Sequence, residues 1–323
     1  MKAIIRKELA DHFSSARFLF IASLIFMISF LGAHLASQGI QEVLASGSNE
    51  LLAGRTFLLI FTSTGAFFPL TVFLALFGPL VGLVLGFDAI NRERAQGTLS
   101  KILSQPIYRD EVILGKYFAG LIIVAIMLAA LFILLGSLGL IGAGVVPTPE
   151  EVLRLFIFWL LCLIYIGFWL GLAIVFSIVF RSVATSALAS AAVWILIAFF
   201  LPVLGQALAQ VITPMTDPQR PAYEELARRD MVNQLVSKVS PTGLFNQSSL
   251  VLLDPTHRGS SQAFQTATSS RINQLLLNHF QGGLSLGQSI ALMMPEFLIL
   301  TGFMVATFIV AYLTFVHQEV RSI

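Results

Sequence analysis

Six long apolar stretches, separated by polar segments, constrain the fold of this 323-residue chain more than any other feature. Each has about the 20 residues that an α-helix needs to cross the ~30 Å hydrocarbon core of a membrane. We therefore predict six transmembrane helices, the fifth of them interrupted near Pro202. No small-residue cleavage pattern follows the first stretch, so we expect a span there and not a signal peptide. The predicted spans are residues 18–36, 66–87, 113–139, 155–180, 184–208 and 295–315.

The composition supports a chain that is surrounded mainly by membrane lipid. Hydrophobic residues make up 57% of the sequence and charged residues 11%, whereas soluble domains carry roughly 25% charged residues. The net charge of +2 is small and the basic residues are spread over several segments, which argues against nucleic acid as a partner. The single cysteine, Cys162, can form no internal disulfide.

Basic residues in the short connections predict the orientation of the spans. Eleven of the 19 lysines and arginines lie in the N-terminus, the 88–116 loop, the 181–182 turn and the C-terminus. Cytoplasmic loops are enriched in these residues, whereas long segments translocate largely regardless of charge. The pattern therefore predicts that both termini are cytoplasmic. The eleven are Lys2, Arg6, Lys7, Arg17, Arg92, Arg94, Lys101, Arg109, Lys116, Arg181 and Arg321.

Two segments outside the spans have helical patterns of their own. Residues 1–13 place apolar side chains at near-helical spacing, which indicates a short amphipathic helix on the membrane surface. An ordinary charged N-terminus is the alternative. Between the fifth and sixth spans, residues 221–239 and 264–280 predict two helices, joined by a hydrophobic connector at 240–255.

These elements divide the all-α chain into three parts. Residues 1–211 form a transmembrane core with the first five spans, and residues 212–288 form a helical extracytoplasmic insertion. Residues 289–323 contain the sixth span and the cytoplasmic C-terminus. The length of the insertion leaves room for a cap on the outer face or for a site that binds an extracytoplasmic protein.

Glycines recur at intervals of four residues in two of the spans. Small residues at this spacing let two helices approach closely in lipid, where burial of apolar surface supplies no driving force. The pattern predicts packed helix interfaces, although glycine enrichment is also common in membrane helices. The glycines are Gly78, Gly82 and Gly86 in the second span and Gly167 and Gly171 in the fourth.

The motifs of several enzyme and pump classes are missing from the sequence. It contains no G-x-x-x-x-G-K-[ST] phosphate loop, no H-E-x-x-H and no G-x-S-x-G. No Cys/His cluster has the spacing of a metal site. The ionisable candidates within the spans are His34 and Glu296, both near span ends, where they favour interfacial anchoring over an ion relay. We therefore predict no catalytic or metal-binding residues and no enzyme; the chain is passive or is driven by a partner.

The 87–116 segment is the longest polar interruption in the first half of the chain. Residues 88–94 continue the second span, Gly97 breaks that helix, and Thr98 can cap a new short helix that ends at Pro106. The new helix has apolar residues on one face and basic residues at its flanks, a pattern typical of helices that dock into a groove. A loop helix that rests on lipid or on the protein's own spans fits the pattern equally well. The apolar residues are Leu99, Ile102 and Leu103.

This segment resembles the ABC-2 type permease family, the membrane subunits of ABC transporters and typically of exporters. Lys7-Glu8-Leu9 before the first span is similar to the interfacial elbow helix of that family. One departure is Ser100, where relatives often carry an acidic residue. The matching residues are Glu93, Gly97, Thr98, Leu99, Ile102, Leu103, Ser104, Pro106, Arg109, Gly115 and Lys116.

The resemblance implies that residues 97–103 are a coupling helix, seated in a groove of a separate ATPase subunit. ATP and magnesium would bind to that ATPase, and this chain would hold no cofactor. Two permease copies, or this chain and a paralogue, would pair with two ATPases in a prokaryotic inner or plasma membrane. The implied ATPase-contact residues are Glu93, Gly97, Thr98, Leu99, Lys101, Ile102, Leu103, Pro106 and Arg109.

Two functions remain open at this point. In the first, ATP-driven movement of the coupling helices switches the spans between inward and outward access and exports a substrate. In the second, the chain is a non-transporting scaffold or sensor that uses the same ATPase to act on an extracytoplasmic partner at 212–288. The sequence does not identify the substrate or decide between a homodimer and a heterodimer.

Overall fold

A computed structural model describes residues 2–45, 56–62, 69–98, 108–213, 223–254 and 284–317. These residues form helices and turns, and none of them lies in a strand, which confirms the all-α class. The helices are α1 (Lys2–Phe13), α2 (Ala16–Ala45), α3 (Leu59–Thr62), α4 (Leu70–Gly86), α5 (Asn91–Ala95), α6 (Arg109–Leu138), α7 (Pro149–Val179), α8 (Val183–Ile195), α9 (Leu201–Ile212), α10 (Tyr223–Val239), α11 (Pro241–Leu253) and α12 (Leu286–His317).

Within the described residues, six helical stretches are long and apolar enough to cross a membrane, as the sequence predicts. Several extend beyond the predicted ends, because polar residues at a span boundary can continue the backbone hydrogen bonding of the helix. π-helical turns follow α6 at Gly139–Ala143 and α8 at Leu196–Phe200. The stretches are Ala16–Gln38, Leu70–Ala95, Arg109–Gly142, Pro149–Val179, Val183–Ile212 and Leu286–His317.

Two prolines act differently from the prediction. The helical stretch Val183–Ile212 continues through Pro202, so the interruption predicted near this residue is wrong. A π-helical turn at Leu196–Phe200 lies directly before α9, and Pro202 is in the first turn of α9. The predicted start of the sixth span at residue 295 is wrong: α12 begins at Leu286, and Pro295 lies inside it.

The segment predicted as a hydrophobic connector, 240–255, is instead mostly helical, because α11 occupies most of it. Ser240 caps this helix: its hydroxyl accepts a hydrogen bond from the Gly243 N–H at 3.3 Å. Pro241 occupies the first turn, a position that favours helix initiation. The helix predicted at 264–280 lies outside the described residues.

The chain divides into two compact units. The first consists of Met1–Trp194 together with Leu300–Ile323, and the second consists of Ile195–Ile299. In the first, α4 packs along α7 at very short distance. A Cβ atom added to Gly82 would lie 2.7 Å from the Ile166 carbonyl oxygen, and one on Gly86 2.8 Å from that of Leu170. Tyr165 adds a hydrogen bond from its hydroxyl to the Ala75 carbonyl at 2.6 Å. These glycines therefore permit direct backbone contact between the second and fourth spans.

The remaining glycines of the predicted set also lie at helix contacts. A Cβ on Gly78 would lie 3.3 Å from the Ile166 side chain. On the other side of α7, a Cβ on Gly167 would meet Leu121 at 2.9 Å, and one on Gly171 would meet Thr307 at 2.6 Å. The fourth span is thus approached by the second, third and sixth spans of the same unit.

Candidate functional site

The second span ends in a helix–turn that leads into the predicted coupling segment. Helix α5 closes at Gly97, whose φ of +68° is a left-handed conformation that glycine adopts without steric cost. The Thr98 hydroxyl donates to the Glu93 carbonyl at 3.2 Å, within the turn that precedes it. Arg109 begins α6 and is exposed. Among the predicted ATPase-contact residues, Leu99, Lys101, Ile102, Leu103 and Pro106 lie outside the described residues.

Four charged side chains, Lys7, Glu8, Glu93 and Lys116, meet beside this turn and form what we call the anchor cluster. Lys116 Nζ lies 2.9 Å from Glu8 Oε1 and 3.0 Å from Glu93 Oε1. Lys7 Nζ lies 3.2 Å from Glu93 Oε1 and 3.4 Å from Glu8 Oε1. The cluster therefore joins α1 to both helices that flank the coupling segment, α5 and α6.

The anchor cluster is mostly buried. The side chains of Lys116, Glu8 and Glu93 are 4%, 9% and 10% exposed, and only Lys7 is 53% exposed. Two positive and two negative charges balance, which makes such burial tolerable, because an unpaired buried ion is very costly. Glu93 Oε2 is also buried and has no hydrogen-bond partner among the described residues.

The surroundings of the anchor cluster shift the pKa values of two charged groups in α1. Burial raises the pKa of the Glu8 carboxyl, but Lys116 and Lys7 outweigh it, and the net pKa lies below the ordinary value of 4.5. Burial lowers the pKa of Lys7, whereas Glu8 and Glu93 raise it to a net value above 10.5. Both shifts favour the charged forms, so the cluster holds its ion pairs at neutral pH.

Close backbone packing accompanies the charges. A Cβ atom on Gly115 would lie 2.8 Å from Cγ2 of Ile4, so only a glycine lets α1 lie this close to α6. Gly115 and Lys116 therefore act together, the first by permitting the approach and the second by supplying the ion pairs. A polar cavity of about 420 Å³ lies next to them and is lined in part by His12, Arg17 and Asp88.

Polar contacts with α7 and α8 hold the junction between α4 and α5. The backbone N–H groups of Ile90 and Asn91 donate to Ser177 Oγ at 2.9 and 3.2 Å. The Ser186 hydroxyl donates to the Phe87 carbonyl at 2.8 Å, and the Asn91 amide donates to the Ser182 carbonyl at 3.3 Å. The base of the second span is thus bound to the turn between the fourth and fifth spans as well as to the anchor cluster.

The sequence alone did not reveal the anchor cluster. Glu93 and Lys116 were both identified as motif residues, but Lys116 pairs with Glu8, 108 residues away, as well as with Glu93, 23 residues away. The sequence did contain a signal. Lys116 lies within the first turns of an apolar helix, where a lysine requires a charged partner, and Glu8 is an acidic residue in a mainly basic N-terminal helix. No His, Cys, Asp and Glu grouping suited to a metal ion occurs in the described part of the chain.

Comparison with known proteins gives one consistent family. The profile of a family described as ABC-2 family transporter protein matches residues 2–320. A probable ABC transporter permease protein NosY of Pseudomonas aeruginosa is 31% identical over 187 residues, which cover 56% of each chain. The protein of the same name from Stutzerimonas stutzeri is 36% identical over 124 residues, which cover 38% of this chain and 39% of the relative. The similarity thus spans about half, or less, of the length of these relatives.

Proposed function

Because the chain belongs to the ABC-2 family of transporter proteins, we propose that it is the permease subunit of an ATP-driven exporter. A separate ATPase subunit binds ATP and magnesium, and this chain carries out no hydrolysis itself. Two permeases, as a homodimer or with a paralogue, assemble with two ATPases. Nucleotide-driven closure of the ATPases moves the spans between inward and outward access.

The anchor cluster is the observation that carries this proposal. The coupling segment is attached to α5 on one side and to α6 on the other, and the cluster connects both helices to α1 through contacts of 2.9–3.2 Å. A force applied to the segment would therefore reach the second span, the third span and α1 together. Packed elements with short, buried contacts transmit a displacement because they do not deform continuously.

Charge supports a cytoplasmic position for this end of the protein. The exposed lysines and arginines of α1, α5 and the start of α6 lie close to the anchor cluster, and such residues are enriched on the cytoplasmic side. An ATPase that draws on cytoplasmic ATP would meet the coupling segment on that side. This orientation favours a multi-pass protein of a prokaryotic inner or plasma membrane with both termini inside.

Inside-out membrane vesicles test the direction of transport. Vesicles that contain this chain and its ATPase should accumulate an exported amphipathic compound in their lumen when ATP is added outside. A variant carrying Leu99→Asp and Leu103→Asp should lose this uptake while the protein remains in the membrane. ATP hydrolysis that is normal, stimulated by an extracytoplasmic protein and never accompanied by uptake of any compound tested would favour the scaffold or sensor function instead.

A further inference from the structure

An apolar cavity of about 280 Å³ lies between α2, α3, α4 and α6. Its walls include Ile60, Leu70, Phe73 and Leu135, all of which are buried. The cavity is in the half of the spans opposite to α1, because its α2 residues belong to the second half of Ala16–Gln38 and its α4 residues to the first turns of that helix. It is therefore remote from the anchor cluster.

The chemistry of the walls limits what can fill this cavity. Its volume is close to twice the ~150 Å³ of an apolar cavity that stays dry and binds benzene. A buried water needs two to four polar partners, whereas Ser29 is the one polar side chain among the described residues of the lining. An empty cavity would deprive its walls of dispersion contacts. An apolar occupant restores the dispersion contacts of the walls, whereas water lacks polar partners there and an empty cavity provides no contacts.

The rim of the cavity shows where that occupant comes from. Ile28 and Leu31 line the cavity and are exposed, and the adjacent Met27 and Phe30 are exposed as well. This surface belongs to a helix long and apolar enough to span a membrane, so the opening faces the hydrocarbon of the surrounding lipids. We propose that the cavity binds one acyl chain of a membrane phospholipid, which enters between Ile28 and Leu31.

Ser29 distinguishes an acyl chain from a polar ligand. Its Oγ is buried and has no hydrogen-bond partner among the described residues. A hydrocarbon chain has no group that can hydrogen-bond to this hydroxyl, so Ser29→Ala should leave binding of the chain unchanged or improve it. A ligand that carries a hydroxyl or carbonyl group at this depth would instead bind less well to the variant.

Gly32 offers a way to close the cavity without disturbing the helices. It lines the cavity, and a Cβ atom added to it would have no neighbour within 4 Å, so the side chain of Gly32→Leu can occupy the void. Gly32→Ala is a graded version of the same change. Gly302→Leu is the matched control, since Gly302 also lies in a membrane-length helix with no atom within 4 Å of its Cβ position.

Photolabelling in lipid nanodiscs tests the proposal. The full chain is reconstituted in phosphatidylcholine with a small fraction of phosphatidylcholine that carries a diazirine in one acyl chain, and labelled residues are mapped by peptide mass spectrometry. We expect label on Phe73 or Leu135, which are 5% and 1% exposed and out of reach for lipid on the outer surface. Gly32→Leu should lower this label by about tenfold because it removes the contacts that retain the chain. Gly302→Leu and Ser29→Ala should retain it.

Label on the exposed Met27 and Phe30 serves as the internal standard and should be equal in all variants. The proposal is overturned if Phe73 and Leu135 stay unlabelled in the wild-type chain, or if Gly32→Leu does not reduce their label. It is also overturned if Ser29→Ala abolishes the label, which would indicate a polar ligand. Label that appears only in monomeric samples overturns it as well, because a second copy of the chain would then cover the opening in place of lipid.

Discussion

At the scale of single residues, Lys116 is the buried cation on which the anchor cluster is centred. Its ammonium group has two carboxylate partners within 3.0 Å and almost no access to solvent. Burial of a charge pair is weak evidence for stability, but removal of one member leaves the remaining buried groups with an uncompensated charge. The main structural role of Lys116 is therefore to fix the positions of α1, α5 and α6 relative to one another.

Lys116→Met should destabilise the protein strongly. The variant would leave two buried carboxylates without their central cation, a change that typically costs about 3 kcal/mol or more. Thermal unfolding of the detergent-solubilised chain measures the effect, and Lys2→Met, an exposed lysine of the same N-terminal helix, is the control. Equal midpoints for the two variants would show that the anchor cluster contributes no stability.

Acidification should loosen α1 in two steps. Burial lowers the pKa of His12 below 6.5 despite the opposing effect of Glu8, Asp88 and Asp11, and Lys116 adds to the decrease. Because the folded state favours neutral His12, the stability from this group is present above pH 6.5 and is lost as the pH falls below that value. Glu8 also has a lowered pKa, so its contribution is lost later, below pH 4.5.

Hydrogen exchange of the α1 amides between pH 7 and 4 measures this behaviour after correction for the intrinsic exchange rate. His12→Gln should remove the first step and leave the second. If the variant and the wild type lose protection in parallel from pH 6.5 downward, His12 is not the group responsible.

At the scale of helices, the second and fourth spans form the most intimate contact of the first unit. Gly82 and Gly86 bring the α4 backbone against the backbone of α7, and no larger side chain fits between them. Close approach of this kind is the main source of helix association where lipid removes the hydrophobic driving force.

Gly82→Ala should weaken this interface by about 1–3 kcal/mol, because the added methyl group would lie 2.7 Å from a backbone oxygen and the helices must separate. Gly302→Ala has open space at its Cβ position and should be neutral or slightly stabilising. Comparison of the two thermal midpoints is the measurement. A Gly82→Ala midpoint at or above that of Gly302→Ala would contradict the packing described here.

Helices were predictable from sequence to the extent that hydropathy determines them. Residues 18–36 and 113–139 needed only length and composition to be identified as spans: α2 contains the first, and α6 with the π-helical turn that follows it contains the second. The ends of the helices were harder to predict: Pro295 lies inside α12, whereas a proline usually marks a helix boundary. The Glu8–Lys116 pair was only partly predictable: a lysine inside an apolar helix indicates that it needs a charged partner, but nothing local indicates which of several carboxylates supplies it.

At the scale of the whole molecule, the anchor cluster and the α4–α7 interface connect the two helices that flank the predicted coupling segment to the rest of the first unit. Helix α1 and the bases of the second and third spans meet at the cluster, and the second span continues along the fourth. The proposed cycle needs this connection, since ATP would be hydrolysed in another subunit.

Glu8→Gln should uncouple ATP hydrolysis from transport. The variant keeps the coupling segment and the Lys116–Glu93 pair but loses the charge that attaches α1, so the ATPase should still bind and turn over. Transport per ATP should fall by about tenfold, within the usual range of coupling free energies. Asp11→Asn is the control, because this carboxylate of the same helix is 60% exposed and lies 3.7 Å from the exposed Lys7 Nζ, a surface pair that contributes little. A loss of ATPase binding would show instead that Glu8 helps to form the docking surface.

The central claim is that a separate ATPase binds residues 97–103. Affinity purification of the intact protein from its own membranes tests this claim most directly. The test variant carries Leu99→Asp and Leu103→Asp. The matched control carries Met231→Asp and Leu235→Asp, two exposed apolar residues at the same spacing on α10. A charge on a buried docking face costs several kcal/mol, so binding should be lost only in the test variant.

The account predicts that a protein with a phosphate-loop motif copurifies in equal amount with the wild type and the control and is absent from the test variant. Recovery of that ATPase with the test variant would place the contact elsewhere on the chain. Absence of any ATP-binding protein from the wild-type sample would contradict the proposed energy source itself.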